Sequence, residues 1–222
     1  MKLAIFLLVV MFSTSLIAQN KPVGIFKNTA DIGHPKLSGS ATYNEAAQTY
    51  TLTGAGSNIW FNRDEFHYLF NKIGGDFLLT ADFEFIGAGG DPHRKIGWMI
   101  RESADESAAS VNAVVHGDGL TVMQWRPLRG AFMRDPEDEI FYPKKTLFRT
   151  VQLERMGKKV IMRVANPGEP LQEVGIKEMP DLRDSVLVGL FISSHDSART
   201  ESFQAWNVRI DKPVPGVYHP NP

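Results

Sequence analysis

Apolar residues fall at every second position in most segments between Thr49 and Ile210, and this period of two limits the fold more than any other feature of the sequence. In the segment DFLLTADFEFIG the period places these apolar side chains on one face of a strand: Phe77, Leu79, Ala81, Phe83 and Phe85. No long stretch shows a helical period; only residues 63–72, RDEFHYLFNK, suit a short helix as well as an aromatic strand. The chain is therefore predicted to be all-β.

The segment TVQLERMGKKVIMRV predicts how such strands pair. A two-residue turn at residues 157–158, with glycine first, suits a type II′ hairpin. Pairing outward from that turn sets Leu153 opposite Met162 on an apolar face and leaves charged residues on the other face. A sheet with one apolar face needs a second sheet to cover it. We therefore predict a two-sheet antiparallel β-sandwich of the jelly-roll type.

A second hairpin, VNAVVHGDGLTVMQWR at residues 111–126, has two candidate turns. A two-residue turn at Asp118-Gly119 mixes side-chain types on its faces, whereas a three-residue loop from Gly117 to Gly119 separates them. We prefer the three-residue loop. Its apolar face carries Val111, Ala113, Val115, Met123 and Trp125. Its other face carries Asn112, Val114, His116, Val122, Gln124 and Arg126. Trp125 is then predicted to lie in the core and Gln124 outside it, and Trp98 and Trp206 are predicted to be core residues too.

The polar face of this hairpin is the candidate ligand site. It offers directed hydrogen bonds, and arginine can grip hydroxyl pairs or a carboxylate with two donors. The predicted ligand-binding side chains of the sheet are Arg101, Asn112, His116, Gln124 and Arg126. The loop GAGGDPHRK adds His93 and Arg94, and the loop GSNIWFNRDEF adds Trp60, whose ring can stack on a sugar. Each group has an alternative interpretation without a ligand. The sheet face is then an ordinary solvated face, the loop with His93 and Arg94 is a charged turn before a strand, and Trp60 with its neighbours closes one end of the sandwich.

The first 18 residues, MKLAIFLLVVMFSTSLIA, have the pattern of a secretory signal peptide. One lysine precedes an apolar run from Leu3 to Phe12, and small and polar residues end the segment at Ala18. The run is short for a retained membrane anchor, which is the alternative. We predict cleavage near Ala18, a secreted or periplasmic chain with no membrane contact after cleavage, a domain over residues 19–211 and a Pro-rich extended tail over residues 212–222.

Charge and cysteine content exclude several classes of protein. Lys and Arg number 24 against 25 Asp and Glu, and no basic block occurs, so nucleic acid is not an expected partner. Cysteine is absent, which excludes disulfides, thiolate nucleophiles and Cys-based zinc sites. No phosphate loop, dinucleotide fingerprint or Gly-x-Ser-x-Gly motif is present, and we expect no cofactor.

The sequence resembles the concanavalin A-like lectin/glucanase superfamily, with its LamG-type jelly roll. The resemblance lies in the segments GDFLLTADFEF, IGWMIRES, FRTVQLERMGKKVIMRV, SVLVGLFISSHD and FQAWNVRI, and covers residues 25–210. More narrowly, the chain resembles a bacterial family of uncharacterised function related to a yeast protein named for regulation of enolase. The matching positions there are Gly97, Met99, Arg101, residues 153–155 and residues 189–195. Since superfamily members include carbohydrate-binding modules and glycan-cleaving enzymes, the resemblance implies a glycan partner.

Two functions are compatible with these features. The expected one is a non-catalytic module that binds an extracellular glycan; the alternative is a glycan hydrolase or lyase with a His/carboxylate set on the same face. Glycan cleavage needs two carboxylates, or a histidine and an acid, in one concave pocket. The candidate acids are Asp82, Glu84, Glu102 and Asp118. The chain lacks the Glu-x-Asp-x-x-Glu signature of the superfamily's glucanases, which weakens the enzyme alternative. A structural domain of a larger exported assembly is a third alternative.

The sequence contains no recognisable metal-binding motif. The histidines at positions 67, 93, 116 and 195 show no His-x-His or His-Glu-x-x-His spacing, so no histidine metal site is expected. Calcium held by Asp and carbonyl oxygens, as in other members of the superfamily, is left open because carbonyl ligands have no sequence signature.

Overall fold

The structure is a computed structural model and describes residues 21–213. The predicted signal peptide and all but the first two residues of the predicted tail lie outside the described residues. Among residues 21–213 no helix is long and apolar enough to cross a membrane. The strands are β1 Asn28–Ile32, β2 Ser40–Asn44, β3 Thr49–Gly56, β4 Ile59–Trp60, β5 Arg63–Asp64, β6 Phe66–Ile73, β7 Phe77–Ile86, β8 Lys95–Arg101, β9 Ser110–His116, β10 Thr121–Arg126, β11 Glu139–Phe141, β12 Thr150–Met156, β13 Lys159–Ala165, β14 Gln172–Glu178, β15 Val186–Ser193 and β16 Asp196–Asp211.

Two antiparallel sheets of seven strands make up the fold. The front sheet has the order β1-β6-β15-β8-β9-β10-β11, and the back sheet has the order β14-β13-β12-β7-β16-β3-β2. Their apolar faces meet in one core that includes Trp98 and Trp125 of the front sheet and Phe83 of the back sheet. The rings of Phe83 and Trp98 meet edge to face with centroids 6.4 Å apart. The predicted all-β, two-sheet sandwich is confirmed.

The period-two segments are strands, as predicted. β7 buries the predicted face of its segment, with Phe77, Leu79 and Ala81 fully enclosed. The β12–β13 hairpin pairs Leu153 with Met162, which is the predicted register. Residues 63–72 are β5 and part of β6, not a helix. The strand is favoured over the helix because β6 forms hydrogen bonds with β1 on one side and with β15 on the other.

Trp206 is not a core residue, which corrects a prediction. It pairs with Asp82 on the outer face of the back sheet, and the guanidinium of Arg149 lies 5.4 Å from the centroid of its ring. The register of β16 shifts between Trp206 and Arg209, so one extra residue interrupts the alternation at that point. A β-bulge changes which face the following residues occupy, and strict period-two counting then misplaces a neighbouring side chain.

A small second layer covers the outer face of the front sheet. The hairpin of β4 and β5 lies on that face, where Ile59 packs in an apolar cluster with other buried side chains. The other members of the cluster are Ile32, Phe66, Tyr68, Met99, Val114, Val122 and Phe191. As a result, every residue of β8, β9 and β10 is buried.

Candidate functional site

The hairpin of β9 and β10 has the predicted three-residue loop. Ala113 pairs with Met123, and the backbone N–H of His116 donates to the carbonyl of Leu120 at 2.8 Å. The predicted apolar face lies in the core between the sheets. On β8, Arg101 pairs with Ser110, which places it on the outer face. The structure therefore brings the predicted polar set onto one face of the front sheet: Arg101, Asn112, His116, Gln124 and Arg126.

That face is closed to solvent, contrary to the open face that we predicted. Each of the five side chains belongs to a residue no more than 3% exposed, including Gln124, which was predicted to lie outside the core. The β4–β5 hairpin and its flanking loops cover the face. Gln124 donates from Nε2 to the carbonyl of Ile59 in that hairpin at 2.8 Å. Asn112 is fully buried, and its side-chain amide has no hydrogen-bond partner among residues 21–213.

Arg101 and Arg126 hold the covering hairpin on the sheet. Arg126 donates two hydrogen bonds to the carboxylate of Asp64, at 2.6 and 2.7 Å. Arg101 reaches the same carboxylate at 3.3 Å and donates from Nε to the carbonyl of Ser103 at 2.7 Å. All three charged side chains are fully buried. A carboxylate shared by two guanidinium groups fixes β5 in place, so these arginines have a structural role and are not free to bind a ligand.

Arg94 is also structural. Its guanidinium pairs with Glu201 of β16 at 2.7 Å and lies 4.2 Å from the ring centroid of Phe85. Glu201 also accepts a hydrogen bond from the backbone N–H of Gly90 at 2.8 Å. This buried pair fastens the loop before β8 to the back sheet. The structure gives Arg94 this role instead of the predicted role in ligand binding, because its guanidinium is buried against Glu201 and Phe85.

A cavity of about 260 Å³ lies beside the covering hairpin, on the outer face of the front sheet. It includes four of the eight predicted binding residues, namely Trp60, His93, His116 and Gln124. Its other lining residues are Asn58, Lys95, Leu120, Asp135, Glu139, Phe141 and His195. Strands β8 to β11 thus supply the floor, and the β4–β5 hairpin and the surrounding loops supply the walls. This cavity is the candidate site.

Three histidines converge in the cavity. The ring of His93 lies 5.7 Å from that of His116 and 5.6 Å from that of His195, between centroids. The Nδ1 of His116 lies 2.9 Å from the carbonyl of Leu120. A carbonyl only accepts, so Nδ1 carries the proton and Nε2 is left as an acceptor. Burial, with the nearby charge of Lys95, lowers the pKa of His116 to about 3, so this imidazole is neutral at neutral pH.

His195 is oriented by a carboxylate. Its Nδ1 lies 3.4 Å from Asp91, whose other oxygen accepts from the backbone N–H of His93 at 2.7 Å. Burial lowers the pKa of His195, and the charge of Lys95 adds to that shift. No group of three or more His, Asp and Glu residues in the described part of the chain is arranged to hold a metal ion.

Lys95 is a buried cation in the floor of the cavity. The residue is 5% exposed, and Nζ donates one hydrogen bond, to Oδ1 of Asn58 at 2.8 Å. Lys95 forms no ion pair with a carboxylate of residues 21–213. Burial lowers the pKa of Lys95 to about 8, while the charges of Asp91 and Glu139 oppose the shift. Lys95 therefore remains mostly protonated at neutral pH.

Glu139 and Asp135 form an acidic pair in the same cavity. Burial, the charge of Asp135 and its hydrogen bond to Glu139 together raise the pKa of Glu139 to about 7. Glu139 is therefore partly protonated near neutral pH. His116 and Glu139 thus place a histidine and an acid in one cavity, which the enzyme alternative requires. The low pKa of His116 makes it a weak base, which favours the binding alternative.

The acids of the cavity were missed from the sequence. None of the four acids considered there lines it. Glu139 belongs to a strand of three residues, which is too short to show a period, and the acidic segment RDPED before it is typical of a solvated loop. Lys95 ends the loop GAGGDPHRK, and its burial could not be predicted from the sequence. The alternation of β8 was the one signal that placed it on the face of His116.

A larger depression, of about 600 Å³, lies elsewhere on the surface, next to β1. Within residues 21–213, its polar side chains other than His34 already have partners. Asp31 pairs with His67 at 2.7 Å, and Asp105 pairs with Arg129 at 2.5 Å. Asp31 also accepts from the backbone N–H of Gly39. The depression therefore presents fewer unused polar groups than the smaller cavity, and we place the candidate site in the latter.

Comparison with known proteins gives the fold. No family model and no curated protein sequence matches this chain. Three solved structures of similar fold are informative. A functionally unknown protein from Saccharomyces cerevisiae is 14% identical, with a TM-score of 0.62, over 84% of this chain and 97% of that chain. The carbohydrate-binding module CBM66 from Bacillus subtilis is 12% identical, with a TM-score of 0.53, over 85% and 98%.

The third structure is the family 7 alginate lyase A1-II′ in complex with a product. It is 9% identical, with a TM-score of 0.53, over 82% of this chain and 93% of that chain. At these identities the similarity concerns the fold alone. The chain is a jelly roll of the kind found in carbohydrate-binding modules and polysaccharide lyases, in agreement with the predicted concanavalin A-like architecture.

Proposed function

We propose that this chain is an exported module that binds a glycan in the cavity on the front sheet. One observation carries the proposal: an aromatic pair, Trp60 and Phe141, lines a polar cavity of about 260 Å³. In that cavity Nε2 of His116 and two of the three N–H groups of Lys95 have no protein partner within residues 21–213. Aromatic faces and unused hydrogen-bonding groups together suit a sugar ring, which has apolar faces and a polar rim.

Size and fold support the same proposal. Ligand sites for drug-sized molecules occupy about 300–1,000 Å³. A cavity of about 260 Å³ is near the lower end, which suits one sugar unit of a longer chain that continues along the surface. Neighbours of this fold include a carbohydrate-binding module and an alginate lyase. The predicted signal peptide and the narrower resemblance to the bacterial family fit an extracellular ligand, and both remain proposals.

Trp60→Ala is expected to weaken glycan binding about tenfold or more. A stacked aromatic ring at a binding hot spot contributes at least about 1.4 kcal/mol, which corresponds to a factor of ten in Kd. The purified mature chain, from residue 19, would be screened on a panel of polysaccharides and glycans, and Kd measured by calorimetry for those that bind. Trp60 is only partly buried, so the melting temperature should change little.

Trp206→Ala is the matched control, because Trp206 is also partly buried but lies on the outer face of the back sheet. It is expected to leave Kd unchanged. Equal losses of affinity in both variants, or unchanged affinity in Trp60→Ala, would contradict the assignment of the site. Binding to no member of a broad panel would contradict the proposed function itself.

Glycan cleavage is the second candidate function. The observation that favours it is the presence of His116, neutral and with a free Nε2, in one cavity with Glu139, whose pKa is raised to about 7. Glu139 can donate a proton near neutral pH, whereas His116, with a pKa of about 3, is a weak base that offers Nε2 as a hydrogen-bond acceptor. Product analysis of the glycans that bind decides between the two candidates. New reducing ends or unsaturated ends, lost in Glu139→Gln, would establish an enzyme, and their absence would leave a binding module.

A further inference from the structure

We infer that Lys95 is the counter-charge for an anionic sugar, one that carries a carboxylate or a sulfate ester, in the cavity on the front sheet. The inference rests on the proposed function and names its ligand class. It starts from a property that the fold alone does not explain, namely a lysine at the first position of a central strand, with its side chain enclosed and with one hydrogen bond.

Burial of an unpaired ammonium group is costly. A buried cation is normally paired with an anion, because the protein interior solvates charge poorly. Lys95 lies on β8 between His116 on one neighbouring strand and Ser193 on the other, and neither residue is an anion. Its hydrogen bond to Asn58 satisfies one N–H with a neutral acceptor. Two N–H groups of a charged donor are thus left for a group that enters the cavity.

The nearby acids are engaged elsewhere. Asp91 accepts from the backbone N–H of His93 and lies against His195. Glu139 interacts with Asp135, and its pKa of about 7 leaves it partly neutral near neutral pH. Neither acid forms an ion pair with Lys95 in the described residues. Asp91 and Glu139 therefore offset the charge of Lys95 only through space, and no carboxylate of residues 21–213 contacts its ammonium group.

The other walls of the cavity determine what kind of anion fits. Trp60 and Phe141 offer aromatic surface that an inorganic anion would not use. Gln124 and Asn58 add amide groups, and His116 adds a neutral imidazole that suits hydroxyl groups. An acidic sugar fits these walls: its acidic substituent contacts Lys95, its ring lies against the aromatic side chains, and its hydroxyl groups face the polar side chains. A carboxylate and a sulfate ester share this chemistry, and the experiment distinguishes them.

Calorimetry with matched pairs of ligands tests the inference. The first pair is an oligomer of a uronic acid and the same oligomer with its carboxyl groups reduced to alcohols. The second pair is a sulfated oligosaccharide and its desulfated form. The mature chain is expected to bind the charged member of one pair at least tenfold more tightly than the neutral member. The pair that shows this preference identifies the acidic group.

Lys95→Gln is expected to remove the preference and to retain binding of the neutral member, because glutamine keeps a donor for Asn58 but carries no charge. Lys95→Met, which also lacks the charge and has similar length, gives a second variant if the first folds poorly. Lys159→Gln is the matched control: Lys159 is on the back sheet with its side chain 59% exposed, and its removal should leave the preference intact.

The outcomes separate this inference from the proposed function. If the wild type binds neither member of any pair and no other glycan, the proposed function fails. If it binds charged and neutral members equally, or if both Lys95 variants keep the preference, the inference is wrong while the proposed function stands. A preference that disappears equally in Lys159→Gln would reflect the overall charge of the protein, and would also overturn the inference.

Discussion

Asp64→Asn is expected to lower the free energy of unfolding by about 3–5 kcal/mol, the usual cost of removing one partner of a buried ion pair. Asp64 is fully buried and holds Arg126 at 2.6 and 2.7 Å and Arg101 at 3.3 Å. Asparagine is nearly the same size but carries no charge, so two guanidinium groups would be left without a counter-charge in the protein interior. Chemical denaturation followed by tryptophan fluorescence measures the change.

Glu84→Gln is the control for this prediction. Glu84 also forms a two-pronged pair with an arginine, Arg149, at 3.1 and 3.2 Å, but the two side chains are 54% and 36% exposed. Exposed pairs contribute at most about 1 kcal/mol. A loss in Asp64→Asn no larger than that in Glu84→Gln would contradict the structural role assigned to the buried network. Loss of glycan binding in Asp64→Asn is expected as well, because the network holds the hairpin that carries Trp60.

Trp125→Ala is expected to cost about 3–5 kcal/mol of stability, as large-to-small changes in a core do. Trp125 is 4% exposed and belongs to the core between the sheets. The ammonium group of Lys177 lies 4.2 Å from the centroid of its ring. Removal of the indole would leave a cavity beside β10, which is hydrogen bonded to β9 and to β11 and cannot readily collapse into it. Thermal and chemical unfolding measure the loss.

The comparison for Trp125→Ala is again Trp206→Ala, which removes the same side chain from an outer sheet face. Its cost should be less than half that of Trp125→Ala, because the side chain is only partly buried. Equal losses at the two sites would mean that the faces of β10 are exchanged. The register of the hairpin at Gly117–Gly119 would then be wrong.

The strands and their faces could be predicted from the sequence because both depend on residues close together in the chain. A three-residue loop at Gly117–Gly119 and a two-residue turn at residues 157–158 each determine the pairing of the strands that flank them. The polarity of the two faces then decides which face meets the core. The bulge near Trp206 is the exception, since one inserted residue leaves no clear mark in the alternation.

The closure of the polar face could not be predicted, because it depends on contacts between distant residues. Asp64 is separated by 37 residues from Arg101 and by 62 from Arg126, and β4 and β5 have two residues each. Strands of that length show no period. The sequence therefore shows arginines on a sheet face but not the carboxylate that covers them. Arg101 and Arg126, which were predicted to bind a ligand, pair with Asp64 for this reason.

The cavity combines residues that sequence reasoning selected with residues that it missed. His93 and His116 were selected as donors on a face and a rim, and Trp60 as an aromatic side chain among polar neighbours. Glu139 came from a strand that shows no pattern. The shifted pKa values of Glu139 and Lys95 arise from burial, which a linear sequence does not contain. The shifted pKa values of the site therefore could not be predicted from the sequence.

The most direct test of the proposed site is an NMR titration that follows the imidazole resonances of the histidines as a bound glycan is added. The account predicts that His93, His116 and His195 shift together and saturate at one ligand concentration, since all three line the cavity. His34 and His67 lie outside it and should not shift. Shifts confined to His34 or His67, or unchanged resonances from the cavity histidines while calorimetry shows binding, would contradict the account.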